Sequence, residues 1–128
     1  MTPLQYDPNE QFDPDAWLAL DESERMQLVI GYHRSKRIRL PNETAHAVIH
    51  VVLENQIALG EAFPAKNVLI RLMSEGLDRH EAIHAIGSVL SKSLYAAMID
   101  EDANEDPNRY YLEKLEALSA ESWRAQAL

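Results

Sequence analysis

Apolar residues recur along most of this chain at the three- and four-residue spacings that place side chains on one helical face. The widest apolar arc lies between about residues 42 and 59, after Pro41 and before Gly60. Its members are Ala45, Val48, Ile49, Val52, Leu53 and Ile57. The width of this arc predicts a central, largely buried helix.

Four other segments have the same periodicity and begin with capping-box pairs or with proline at the first helical position. The starts are Asp21 with Glu24, Pro64, Asp78 with Glu81, and Asp106 with Pro107. No segment shows sustained alternation with the two-residue period of a strand. The pattern therefore predicts an all-α fold, a single-domain helical bundle of about five helices.

The N-terminal end of the chain differs from the rest. Residues 1–12 are polar, contain two prolines and lack periodicity, which predicts a flexible arm without chemistry. A single helical domain should follow over residues 13–128, opening with a short turn of helix at Asp13-Pro14. The acidic stretch 100–106 is predicted to end the longest helix.

A complete HExxH motif, His80-Glu81-Ala82-Ile83-His84, lies at the start of that longest helix. Two histidines four residues apart on a helix project from one face, where both imidazoles can reach one metal ion beside the glutamate. His46 and His50 repeat this spacing in the central helix, and Glu54 continues their row.

We expect the two histidine-bearing helix edges to face each other, with Gly87 permitting a close approach of the helices. The predicted metal ligands are His46, His50, Glu54, His80 and His84, and the predicted general base is Glu81. The alternative interpretation is that these are partly buried histidines satisfied by carboxylates, with Glu81 acting only as a helix cap. Gln56, within the apolar arc, is expected to meet a buried polar partner or to support the site.

Two other residues receive simpler interpretations. His33 is a lone histidine on an apolar helical face, a setting typical of a core residue rather than a ligand. Arg79 is interpreted as solvated or paired with a nearby acid.

The amino-acid composition limits the possible metal ligands and binding partners. The chain has no cysteine, which leaves His, Asp and Glu as metal ligands and favours zinc or iron as the bound metal. Its 12 basic and 21 acidic residues give a net charge of −9, which argues against nucleic acid or an anionic membrane as a partner. No apolar run approaches the length that spans a bilayer, so we expect a cytoplasmic protein.

HExxH is typical of zinc peptidases, in which the histidines bind Zn²⁺ and the glutamate activates the bound water. Such a site needs a third protein ligand, for which Glu101 and Glu105 are candidates. The edge strand that would hold an extended peptide is not predicted. Hydrolytic chemistry remains an expectation if one coordination position stays open to water.

Two resemblances to known families extend this interpretation. The spacings His50-x-x-x-Glu54 and His80-x-x-x-His84 resemble two motifs of the hemerythrins, which implies a di-iron, oxygen-binding or oxidation site in a four-helix bundle. The hemerythrin motif of a late histidine on the final helix is missing, because no histidine follows His84.

The segments WLALDESERMQLVIGYH, AHAVIHVVLENQIALGE and GLDRHEAIHAIGSVL are similar to a group of small bacterial helical proteins classed as a domain of unknown function. This resemblance covers most of the chain from Trp17 to about Leu94. It implies a helical fold with paired histidine segments and supplies no reaction.

The leading functional hypothesis is a small cytoplasmic metalloprotein with a His/Glu site between two core helices. The competing hypothesis is a non-catalytic, acidic helical interaction module with structural histidines. Its partner would be a basic protein or a second copy of the chain in a homo-oligomer.

Overall fold

The computed structural model describes residues 5–99 and 107–126, and all regular secondary structure in these ranges is helical. The helices are α1 (Pro14–Leu18), α2 (Glu22–Ser35), α3 (Glu43–Leu59), α4 (Ala65–Ser74), α5 (Arg79–Ile99), α6 (Pro107–Ala117) and α7 (Ala120–Gln126), with a 3₁₀ turn at Gly60–Ala62. The all-α prediction is confirmed. The predicted acidic break at 100–106 and the candidate ligands Glu101 and Glu105 lie outside the described residues.

The prediction of about five helices is slightly low, since the described ranges contain seven. The additional elements are short. Helix α7 separates from α6 because Ser119 and Ser122 exchange backbone-to-hydroxyl hydrogen bonds of 3.0 Å in both directions, which caps a new helix start.

Side-chain caps begin the helices where the sequence predicts them. The Asp21 carboxylate accepts from the Glu24 backbone N–H at 2.8 Å, and the Glu24 side chain accepts from the Asp21 N–H, completing the capping box. Asn42 Oδ1 accepts from the Ala45 N–H, and helix α3 ends at Gly60, which has a φ of 69°. These caps fix the start of α2 and both ends of the central helix.

Helix α3 separates two apolar cores. Four members of its predicted arc, Ile49, Val52, Leu53 and Ile57, face the larger core, whereas Ala45 and Val48 are exposed. The larger core lies between α3, α4, α5 and α6, and it is centred on Leu53, Leu72, Ile86 and Leu115. The second core lies between α3, α1, α2 and the N-terminal segment, and it contains Tyr6, Trp17, Val29, Ala47 and Val51. The histidine rows of α3 and α5 lie at the junction of these two cores.

The N-terminal segment is part of the second core from residue 5 onward. Tyr6 and Pro8 are buried, and the Tyr6 ring lies 5.8–6.2 Å from the rings of Phe12, Trp17 and Tyr32. This aromatic cluster places the Tyr6 hydroxyl against helix α3. Residues 1–4 of the predicted arm lie outside the described residues.

None of the described helices is long and apolar enough to cross a membrane.

Gly87 sets the distance between α3 and α5 beside the histidine rows. A Cβ atom at this position would lie 2.8 Å from Ile49 Cγ2 and 3.3 Å from Leu53 Cδ1. Since Ile49 Cγ2 is attached to a branched Cβ on a packed helix, it cannot yield by rotating away freely. The two helices therefore pack as closely as they do because residue 87 lacks a side chain.

Gly87→Ala should destabilise the fold by about 1–3 kcal/mol through overpacking, measured by urea denaturation. Gly31→Ala is the matched control, because Gly31 is exposed in the middle of helix α2 and a Cβ there meets nothing within 4 Å. That control should stabilise the protein by roughly 0.5–1 kcal/mol through helix propensity. Equal effects of the two substitutions would contradict the close-approach interpretation.

Candidate metal centre

All five histidines of the chain converge at the contact between three helices. Helix α2 supplies His33, α3 supplies His46 and His50, and α5 supplies His80 and His84. Three of their Nε2···Nε2 separations are short: His33 to His46 at 3.2 Å, His46 to His50 at 3.1 Å and His50 to His84 at 3.2 Å. The imidazole tips, rather than the backbones, therefore meet at one point.

Four of these histidines form a group with the dimensions of a metal site. Ligand nitrogens of His33, His50, His80 and His84 all lie within 4.8 Å of one another. Zinc–nitrogen bonds of about 2.0–2.1 Å require ligating nitrogens roughly 3–4 Å apart, which the short separations in the cluster match. His33 and His50 are buried and the other two are half-buried. His46 lies at the edge of this group, in contact with His33 and His50.

A hydrogen bond at Nδ1 fixes the tautomer of His33. His33 Nδ1 lies 2.8 Å from the Val29 carbonyl oxygen. A carbonyl only accepts, so Nδ1 carries the proton and Nε2 presents its lone pair to the other rings.

Tyr6 determines the tautomer of His50 in the same way. The Tyr6 hydroxyl donates to Glu54 Oε2 at 2.7 Å and lies 3.0 Å from His50 Nδ1. Because its single hydrogen is engaged by the carboxylate, the hydroxyl oxygen accepts from His50 Nδ1–H. His50 Nε2 therefore also points into the cluster with a free lone pair.

A buried ion pair anchors the Tyr6 hydroxyl. Arg79 donates from Nη2 to Glu54 Oε1 at 2.7 Å and from Nη1 to Glu54 Oε2 at 2.9 Å, and Nη1 also donates to the Pro8 carbonyl at 3.0 Å. The side chains of Glu54 and Arg79 are 0% and 7% exposed. Burial, followed by the Glu54 carboxylate, raises the pKa of Tyr6 well above 10.0, so its hydroxyl keeps its proton. The chain of contacts runs from Arg79 through Glu54 and Tyr6 to His50.

Hydrogen bonds among the rings cannot satisfy all of the imidazole nitrogens at the centre of the cluster. His46 Nε2 faces the lone pairs of both His33 and His50, and one N–H can serve only one of them. In the part of the chain that the structure describes, His80 Nε2 is fully buried without a hydrogen-bond partner. Buried polar atoms are nearly always paired, so this nitrogen fits a metal ligand. A cation at the centre would satisfy all of these nitrogens together.

Four of the five rings are held in the neutral form that metal binding requires. Burial, and then repulsion from the neighbouring imidazoles, lowers the pKa of His46 and of His84 to about 4 and that of His50 to about 2. The pKa of His80 is also lowered, chiefly by burial. These imidazoles are therefore uncharged at neutral pH, with lone pairs available to a cation.

The structure brings together the four histidines predicted as ligands, and it places the two predicted carboxylates elsewhere. Glu54 is held by Arg79 and Tyr6 and is not a member of the four-histidine group. Glu81 is half-buried, and its backbone N–H bonds to Asp78 Oδ1 at 2.7 Å, as the cap interpretation expects. Its carboxylate is also outside the group.

Three residues that build the site were not identified as site residues from the sequence. His33 has no partner at ligand spacing in its own helix, and Tyr6 lies in a segment without periodicity, 44 residues before His50. Arg79 pairs with an acid, as one interpretation allowed, but that acid is Glu54 on another helix. Gln56 meets a polar partner away from the histidines, because it accepts from the Tyr111 hydroxyl at 3.1 Å.

A cavity of about 300 Å³ reaches the cluster beside His46 and His84, two of its three half-buried members. Its walls include the Ile49, Ile83 and Gly87 positions where α3 and α5 pack closely. This side of the cluster is the route by which a small species could approach the imidazoles from outside.

Comparisons of the chain with known protein families, with curated proteins and with solved structures found no match. The functional argument therefore rests on the geometry of the site.

Metal-free protein should lose stability as the pH falls from about 7 to about 5. Histidines with a lowered folded-state pKa stay neutral, while those of the unfolded chain protonate near 6.5. The unfolded state then binds more protons than the folded state. The free energy of unfolding therefore decreases as the pH is lowered from about 6.5 to about 4. Urea denaturation in the presence of a chelator measures this slope, and His46→Asn should make it shallower. A flat or inverted slope would contradict the neutral-cluster interpretation.

Proposed function

We propose that the protein binds one divalent transition-metal ion through the Nε2 atoms of His33, His50, His80 and His84, with His46 as a further ligand at the edge of the group. The observation that carries this proposal is the convergence of four imidazoles whose ligand nitrogens lie within 4.8 Å of one another, with the lone pairs of His33 and His50 directed inward. The hydrogen bonds at Nδ1 of His33 and His50 support it. Such outer contacts orient the rings of metal-binding histidines and raise their basicity.

The ligand chemistry supports zinc or iron as the metal. Imidazole suits zinc, iron, copper and nickel, and the chain has no thiolate to favour softer binding. A carboxylate-bridged pair of metals would need a carboxylate among the convergent atoms, and the group consists of imidazoles alone. This composition favours a mononuclear site over the di-iron alternative.

A bound metal of this kind supplies Lewis acidity and lowers the pKa of a coordinated water. The residues of this chain contribute the neutral cage, the ring orientation and the access beside His46 and His84. Hydrolysis with Glu81 as general base remains a prediction of the HExxH motif, and the present proposal is limited to metal binding.

The direct test is a metal titration of the full chain prepared without a histidine tag. The chelated protein should take up one equivalent of Zn²⁺, and His50→Ala or His84→Ala should abolish tight uptake because each removes a central ligand. Glu81→Gln is the matched control within the same motif and should retain uptake, because its carboxylate lies outside the group.

Failure to bind Zn²⁺ or Fe²⁺ under either reducing or oxidising conditions would overturn the proposal. Zinc should also raise the thermal midpoint by mass action, and a chelator should reverse the shift. A chelator-insensitive midpoint, with normal folding of His84→Ala, would instead favour the interaction module with structural histidines.

The same titration tests the contact between Tyr6 and His50. Tyr6→Phe removes the acceptor of His50 Nδ1–H, so zinc affinity should fall about 10- to 100-fold. Tyr32→Phe is the control, since its ring lies beside His33 and His80 while, across the described residues, its hydroxyl makes no hydrogen bond to an imidazole. Equal affinities of the two variants would show that the Tyr6 hydroxyl does not support the site.

A further inference from the structure

A second cavity is lined by the Glu54–Arg79 ion pair and by none of the histidines. It has a volume of about 490 Å³, within the range of small-molecule sites. Its walls are mainly apolar and include Phe12, Ile57, Leu69, Ile70 and Met73. Lys66 also lines the cavity.

Two wall residues expose unusually large apolar surfaces. Ile70 is 56% exposed and Met73 is 42% exposed, although both line a concave cavity rather than a convex helix face. An apolar ligand in the cavity would remove this surface from water, at a gain of about 25 cal/mol per Å².

The Arg79 guanidinium has an edge that the ion pair does not use. A guanidinium carries five N–H groups, and the contacts to Glu54 and Pro8 engage both hydrogens of Nη1 and one of Nη2. The remaining Nε–H and Nη2–H are parallel and form a second two-pronged donor. Phe12 covers the guanidinium, with its ring centroid 5.5 Å from Cζ.

The Nε end of this edge is accessible. Across the described residues, the fully buried side-chain nitrogens and oxygens without a partner comprise His80 Nε2 alone. Arg79 Nε has no hydrogen-bond acceptor there and is not one of these fully buried atoms, and Arg79 lines the cavity. A two-pronged N–H donor matches the geometry of a carboxylate.

The charges around the cavity favour an anion. Glu54 is fully buried and its charge is balanced by Arg79, while Lys66 is exposed and adds a further positive charge. This arrangement makes the cavity locally positive on a chain whose net charge is −9.

We propose that this cavity binds a small monocarboxylate with an apolar tail. The carboxylate pairs with the Nε–Nη2 edge of Arg79, Lys66 strengthens the attraction, and the tail lies along Ile57, Leu69 and Met73. This site is independent of metal binding, although it shares Glu54 with the contacts that orient His50.

Isothermal titration calorimetry of the full chain with octanoate tests the proposal, with octanol and octylamine as neutral and cationic probes. Octanoate should bind at least about tenfold more tightly than either control, because only a carboxylate matches the Arg79 edge. Equal binding of octanol, tighter binding of octylamine, or no octanoate binding would overturn the proposal.

A charge variant locates the bound ligand. Lys66→Glu should weaken octanoate binding by about fivefold or more, whereas Lys92→Glu, the same charge change at an exposed lysine outside the cavity, should leave it nearly unchanged. Equal effects of the two substitutions would contradict binding of octanoate in this cavity. The titration is repeated after chelation, and loss of binding there would place the carboxylate on a metal instead.

Discussion

The packing of α2, α3 and α5 depends on burying five imidazole rings in mutual contact, and burial lowers the pKa of four of them, His46, His50, His80 and His84. Their ring centroids approach to 4.3–4.9 Å in the closest pairs, and two or more imidazolium charges at that distance would repel strongly in a poorly solvated interior. The outward Nδ1–H bonds of His33 and His50 leave lone pairs pointing inward. The fold thus concentrates electron-pair donors at one point, an arrangement that a cation stabilises.

The Glu54–Arg79 pair connects this site to the rest of the molecule. Buried ion pairs recover little net stability, because desolvation offsets their attraction, whereas removing one partner leaves a costly buried charge. Here the pair holds the Pro8 carbonyl and the Tyr6 hydroxyl, which ties the N-terminal segment to helix α3. The pair supports His50 through Tyr6, and both of its residues also line the second cavity. The main contribution of this ion pair is therefore to position the N-terminal segment and the Tyr6 hydroxyl, rather than to add net stability.

Helical periodicity made the fold class and much of the site predictable. Spacing at i, i+4 placed His46 with His50 and His80 with His84, and the wide apolar arc predicted that α3 is a central helix. Local spacing cannot report contacts between helices, so His33 resembled an ordinary core residue and Glu54 resembled a ligand. Tyr6 had no periodic signal because its position depends on aromatic packing against residues far along the chain.

X-ray absorption spectroscopy of the zinc-loaded full chain tests the central claim most directly. It should show a nitrogen shell at about 2.0–2.1 Å with the outer-shell scattering of imidazole rings. At least the four rings of the convergent group should contribute. A shell dominated by carboxylate or water oxygen, with two or fewer imidazoles, would contradict a metal centre built from converging histidines.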